Sequence, residues 1–159
     1  SIYLSDLLFY LVFTHTLLRN NISPFWFLRF RFVGVDASGS VSSKELSYFL
    51  GELNSLSEEI KPNSITIITC DAEIQGIKRY ESGEIVENIV CKGRGGTLVM
   101  PVFDYIEKEN INVDSFIYFT DLGIGDYPDE EPNFPLLWVS TDMRRDEAPI
   151  GTTTYLKVA

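Results

Sequence analysis

Asp36, Ser38 and Ser40 stand at alternating positions in Phe-Val-Gly-Val-Asp-Ala-Ser-Gly-Ser, an apolar run that stops abruptly in an acid, two hydroxyls and a glycine. Three hard oxygens on one tight turn suit a small, hard divalent cation. A second reading is open from these residues alone: a Ser/Asp-rich turn in which Ser40, Ser42 or Ser43 caps the helix that follows. Two further apolar runs also end in an acid, at Asp71 and at Asp121. One acidic strand end is ordinary, but three in succession would gather carboxylates along one edge of a sheet.

These residues require elements that place them together. The run Phe32–Val35 reads as a buried parallel strand, and Val41 to Ile60 spaces Leu46, Phe49, Leu50, Leu53 and Leu56 as the apolar stripe of a helix. Ser64 to Asp71 reads as a second strand, so the order is that of a crossover unit. Ala72–Tyr80 and Glu84–Cys91 alternate around Glu81-Ser82-Gly83, which predicts an antiparallel hairpin at the sheet edge. A glycine-rich turn ending in Gly96 and Thr97 precedes a helix over about 99–109, with Pro101 in its first turn. That turn lacks the phosphate-loop pattern. Strands are predicted over 113–121, 133–141 and 151–158, and the Leu122–Pro128 segment between two of them, with two glycines and a proline, reads as a loop. The fold class is therefore α/β: a doubly wound, mainly parallel sheet with helices on both faces and an antiparallel edge hairpin. Polar strand ends in such sheets lie where ligands bind.

The chain has 159 residues, 45% of them hydrophobic, enough for one domain with its own core, and a formal net charge of -10. That charge argues against a nucleic-acid partner, since phosphates would be repelled. It agrees better with a cation site or a basic protein partner. The charge is uneven: residues 1–35 hold Arg19, Arg29 and Arg31 against Asp6 alone. Residues 1–30 read as an apolar helical segment, either packed on this domain or the tail of one that is absent, and the chain is expected to be a fragment because it begins at Ser1. Polar interruptions at Ser5, Asp6, Thr14, His15 and Thr16 argue against a membrane helix. The domain proper is placed at 31–159. Cys70 and Cys91 form no disulfide framework or zinc spacing and read as small buried hydrophobes of a reducing compartment.

Asp-Ala-Ser-Gly-Ser resembles the D-x-S-x-S motif of von Willebrand factor A (VWA) domains. From about Arg31 onward the order D-A-S-G-S, C-D, G-G-T, P-V-F, Y-F-T-D, G-D-Y-P and L-L-W-V is similar to a bacterial VWA-like family of unknown function, found C-terminal to a metallopeptidase-like domain. The resemblance implies a metal-ion-dependent adhesion site of Asp36, Ser38, Ser40, Thr97 and Asp121, with Asp71, Asp126 and Gly96 as outer positions. It implies Mg²⁺ (or Mn²⁺) as cofactor and a cytoplasmic protein partner, such as a MoxR-type AAA+ ATPase or the metallopeptidase-like domain. This chain departs from the family pattern at Leu98, where an aspartate follows the threonine, and it has no H-E-x-x-H zinc motif. The expected function is a non-enzymatic, metal-dependent protein-binding module. Two alternatives stand beside it. One is a metal-dependent hydrolase, for which no nucleophile is paired with a base and D-x-D spacing is missing at Asp36. The other is a metal-free VWA scaffold, which Leu98 favours.

Overall fold

The computed structural model describes residues 31–89, 91 and 95–158. The apolar segment expected over 1–30 lies outside the described residues. The elements run β1 (Phe32–Asp36), α1 (Ser43–Ile60), β2 (Ser64–Cys70), β3 (Ile74–Glu81), α2 (Met100–Lys108), β4 (Phe116–Thr120), β5 (Leu136–Ser140) and β6 (Thr152–Tyr155). They build a six-stranded sheet of order β3-β2-β1-β4-β5-β6. All neighbours are parallel except β3, which runs antiparallel to β2 at one edge. This is the α/β, VWA/Rossmann-like architecture expected from the sequence.

Strand alternation sorts the core into two layers. Val33, Val35, Ile65, Ile67, Ile117, Phe119, Leu137 and Val139 face α1, which contributes Phe49, Leu53 and Leu56. Phe49 stacks on Phe119 with ring centroids 4.3 Å apart. On the opposite face Ile68, Phe116, Tyr118 and Trp138 pack with Val102 and Ile106 of α2. The central strands β1, β2, β4 and β5 are buried on both faces, which is why they read as largely apolar runs.

Gly34 is required by one of these contacts. It pairs with Tyr118 across β1 and β4, and a Cβ at position 34 would sit 2.5 Å from Tyr118 Cδ2. The ring lies over the strand only because that side chain is absent. Gly34→Ala is expected to cost about 1–3 kcal/mol, the usual penalty of overpacking a filled core, and urea denaturation would read it.

The edge hairpin exists, but its partners differ from the sequence expectation. β3 pairs with β2 through a tight turn at Asp71-Ala72-Glu73, closed by Asp71 N–H donating to Glu73 O at 3.1 Å. Residues 84–89 form no strand. Val86 instead anchors to α1 through Asn54, whose Nδ2 donates to Val86 O and whose Oδ1 accepts from Val86 N, each at 2.8 Å. Asn88, with φ of 55°, departs from an extended path. The cysteines also divide: Cys70 is buried as expected, whereas Cys91 is exposed. Among the described residues no helix is long and apolar enough to cross a membrane.

Candidate functional site

The chain leaves β1 for β2 on one side and later returns through β4 on the other, so the β1/β4 boundary is the sheet's switch point. Parallel register then brings the carboxyl ends of these strands together. Val35 pairs with Phe119, which sets Asp36 beside Thr120 and, one residue on, Asp121.

Asp36 is wholly buried, and both its oxygens are engaged. Oδ1 accepts the Ser38 N–H at 2.8 Å, closing the turn, and Oδ2 accepts the Thr120 hydroxyl at 2.7 Å. Burial pushes its carboxyl above the ordinary range, the bonds from Ser38 and Thr120 oppose this, and the charge of Asp121 adds to the rise. The Ser38 and Ser40 hydroxyls lie 2.9 Å apart. The turn thus fixes a buried carboxylate behind two adjoining hydroxyl oxygens.

The helix cap expected from one of three serines is Ser42. Its Oγ accepts Glu45 N–H at 3.2 Å, while Glu45 Oε2 accepts Ser42 N–H at 2.7 Å, a reciprocal capping box. Ser40 is therefore not spent on the helix. Glu45 also accepts the Thr141 hydroxyl at 2.6 Å. Burial works against its charge, but the bonds from Thr141 and Ser42 outweigh it and hold the carboxyl below its ordinary value of 4.5. A carboxyl lowered by folding stabilises above its unfolded pKa, and that gain is lost as pH falls through the folded value. Glu45→Gln should cost about 1 kcal/mol at neutral pH, the scale of a lost cap. Thermal melts across pH should show the difference shrinking as pH drops through and below about 4.5.

Asp121 follows Thr120 into a loop whose shape is specified locally. Its Oδ1 accepts Gly123 N–H at 2.9 Å, and Leu122 N–H donates to Thr120 Oγ1 at 3.1 Å. Leu122 is held in the left-handed region at φ 64° with its side chain buried, a strained conformation for a bulky residue. A Cβ on Gly123 would meet Asp121 Oδ1 at 2.9 Å and Arg145 Nη2 at 3.2 Å, so glycine lets both groups crowd this corner.

Thr97 arrives on the third loop, which is clamped from two sides. Leu98 N–H donates to Asp71 O at 2.8 Å, and Gly125 N–H donates to Thr97 O at 3.1 Å. Asp126 caps α2 from outside: Oδ1 accepts Val99 N–H at 2.7 Å and Oδ2 accepts Met100 N–H at 3.1 Å. Asp71 Oδ1 is bound to Glu73 N–H and to Gln75 Nε2. Asp71 and Asp126 are thus committed to holding loops. Gly96 is exposed, with open space where a Cβ would stand, so no contact demands glycine there.

The structure therefore gathers Asp36, Ser38, Ser40 and Asp121 and ties the Thr97 backbone to the Asp121 loop. Among the described residues no group of three His, Cys, Asp or Glu could hold a metal, and the gathered set supplies only two carboxylates plus hydroxyls. That donor set is one a hard cation accepts. Thr120 was not foreseen as a contributor. Only the strand register brings it to Asp36.

A family model described as "VWA-like domain (DUF2201)" matches residues 32–157. The chain belongs to this VWA-like family. An uncharacterised protein of Thermotoga maritima is similar, 32% identical over 87 residues, covering 55% of this VWA-like chain and 21% of the relative. The chain thus spans about a fifth of that relative's length. A crystal structure of the ArnB paralog VWA2 from Sulfolobus acidocaldarius superposes with a TM-score of 0.52 at 20% identity, over 69% of this chain and 34% of that one. That likeness is one of fold.

Proposed function

We propose that this VWA-like domain is a non-enzymatic binding module, in which Asp36, Ser38, Ser40, Thr97 and Asp121 hold Mg²⁺ (or Mn²⁺) and a protein partner binds through a carboxylate. The observation that carries this reading is the pair of hydroxyls 2.9 Å apart in front of the buried Asp36, on the edge shared with Asp121. A bound cation would supply the positive charge that draws a carboxylate to an otherwise acidic surface. The chain's own part is to align Asp36 through Ser38 and Thr120, and to present the Ser38 and Ser40 hydroxyls, which hydrogen-bond to one another, beside it. A binding role is preferred to catalysis because the sequence pairs no nucleophile with a base and lacks D-x-D spacing at Asp36.

The partner classes that the family resemblance supports are a cytoplasmic MoxR-type AAA+ ATPase and a metallopeptidase-like domain. A metal-free scaffold is favoured by one specific observation. Both Asp36 oxygens already have protein donors, so the site is internally satisfied. Isothermal titration with Mg²⁺ and Mn²⁺, alongside Asp121→Ala, separates the two. Saturable binding lost in the variant supports the metal site, and no heat from a folded intact chain supports the scaffold.

A further inference from the structure

A cavity of about 530 Å³ opens from Ser40 and Asp121 along the loop after β5 and the end of the chain after β6. Its walls include Glu45, Asp142, Arg144, Arg145 and Lys157. The cations there are not equivalent. Arg144 is spent on Asp142, with Nε to Oδ1 at 2.9 Å and Nη2 to Oδ2 at 3.1 Å, a two-pronged pair. Arg145 reaches the same carboxylate only at 3.5 Å, and its side chain is 49% exposed. Its backbone is fixed by the Tyr155 hydroxyl, which donates to Arg145 O at 3.0 Å. The guanidinium stands at the Gly123 corner beside Asp121. Lys157 is exposed and has no ion-pair partner among the described residues. Two cations with donor capacity to spare therefore border the candidate metal position on a chain whose net charge is -10.

The balance of charge determines which partner fits. Glu45, Asp121 and Asp142 balance Arg144, Arg145 and Lys157 on the walls of this cleft, and a divalent cation would turn it positive. We infer that the partner segment carries two acidic side chains close in sequence, one carboxylate on the cation and the second received by Arg145 and Lys157. This rests on the metal-site reading above. It also revises the expectation of a basic partner, because a basic segment would meet Arg145 and Lys157 at this mouth.

The test titrates the whole chain, by NMR chemical shifts, with the N-acetylated, C-amidated peptide Gly-Glu-Gly-Glu-Gly and with its equally capped analogue in which the second Glu is Gln, in Mg²⁺ and in EDTA. A separate calorimetric Mg²⁺ titration reports the metal site alone. The expected result is binding only in Mg²⁺, about fivefold weaker for the single-acid peptide, the upper range of a solvent-exposed ion pair. The double variant Arg145→Gln, Lys157→Gln should bind Mg²⁺ normally and no longer distinguish the peptides. Equal binding of both peptides by the unaltered chain in Mg²⁺, or undiminished discrimination by the double variant, overturns the inference and leaves the metal reading standing. Mg²⁺ binding with neither peptide bound likewise overturns it. Absence of Mg²⁺ binding in the calorimeter overturns the metal reading, and the inference with it.

Discussion

Asp36→Asn should abolish Mg²⁺ binding while leaving the metal-free domain about as stable as before. The two halves of this outcome come from opposite consequences of burial. Without a cation, an ionised carboxylate with no exposed surface pays for lost hydration, and the bonds from Ser38 N–H and the Thr120 hydroxyl only partly repay it. Asparagine keeps the acceptor for Ser38 N–H and removes the charge. Its amide donor must face Thr120 Oγ1, which can accept it but then has no acceptor for its own proton. These effects nearly cancel, so urea denaturation in EDTA should move by no more than about 1 kcal/mol.

With a cation the balance reverses. Among the described residues the carboxylate is the one acid with no exposed surface, and its removal would leave the ion with Asp121 as its remaining anionic donor. Losing one member of a buried charge pair costs about 3–5 kcal/mol, equivalent to at least a hundredfold in affinity. Calorimetry should show no saturable Mg²⁺ binding in the variant, and Mg²⁺ should no longer raise its melting temperature. Retained binding at near-normal affinity would remove Asp36 from the site. A large loss of stability in EDTA would mean that its negative charge is needed by the fold itself, which favours the metal-free scaffold.

The parts of this molecule legible in the sequence are those set by local pattern. The strands that end at Asp36 and just before Asp121 are apolar runs bounded by polar turns, and they form within the predicted spans because both faces are covered, although β4 is shorter than expected at Phe116–Thr120. The helical stripe of Phe49, Leu53 and Leu56 is buried against the sheet for the same reason. The segment after Glu81 misled because alternation alone cannot tell a strand from an extended chain held by a side chain. Asn54 supplies both hydrogen bonds that a neighbouring strand would have given Val86. Thr120, Arg145 and Lys157 carry no local signal at all. Thr120 reaches Asp36 across 84 residues through the β1/β4 register, and the two cations reach the same edge only when β5 and β6 add to the sheet.

Asp126→Ala is expected to be the most destabilising of these changes, about 3 kcal/mol, and to weaken metal binding without Asp126 touching the ion. The first residues of α2 explain why. Val99 occupies the cap position in a helical conformation and offers no side-chain acceptor, so the N–H groups of Val99 and Met100 have no partner from their own segment. Asp126 supplies both, one oxygen to each, and its negative charge faces the positive end of the helix. Bonds to a charged acceptor are worth about 1.5–3 kcal/mol each, and Val99 is fully buried, so its donor cannot turn to water instead. The same residue ties the Asp121 loop to the loop carrying Thr97, next to the Gly125 N–H bond to Thr97 O. Its removal should therefore misplace Thr97 and Asp121 relative to one another. Asp126→Asn distinguishes this role from direct coordination. It keeps one acceptor and turns an amide donor toward the other N–H, so as a cap it should lose an intermediate amount of stability, with metal affinity falling in step. A variant as stable as the parent that nevertheless binds no Mg²⁺ would show that Asp126 itself holds the cation, and the donor set would have to be redrawn around it.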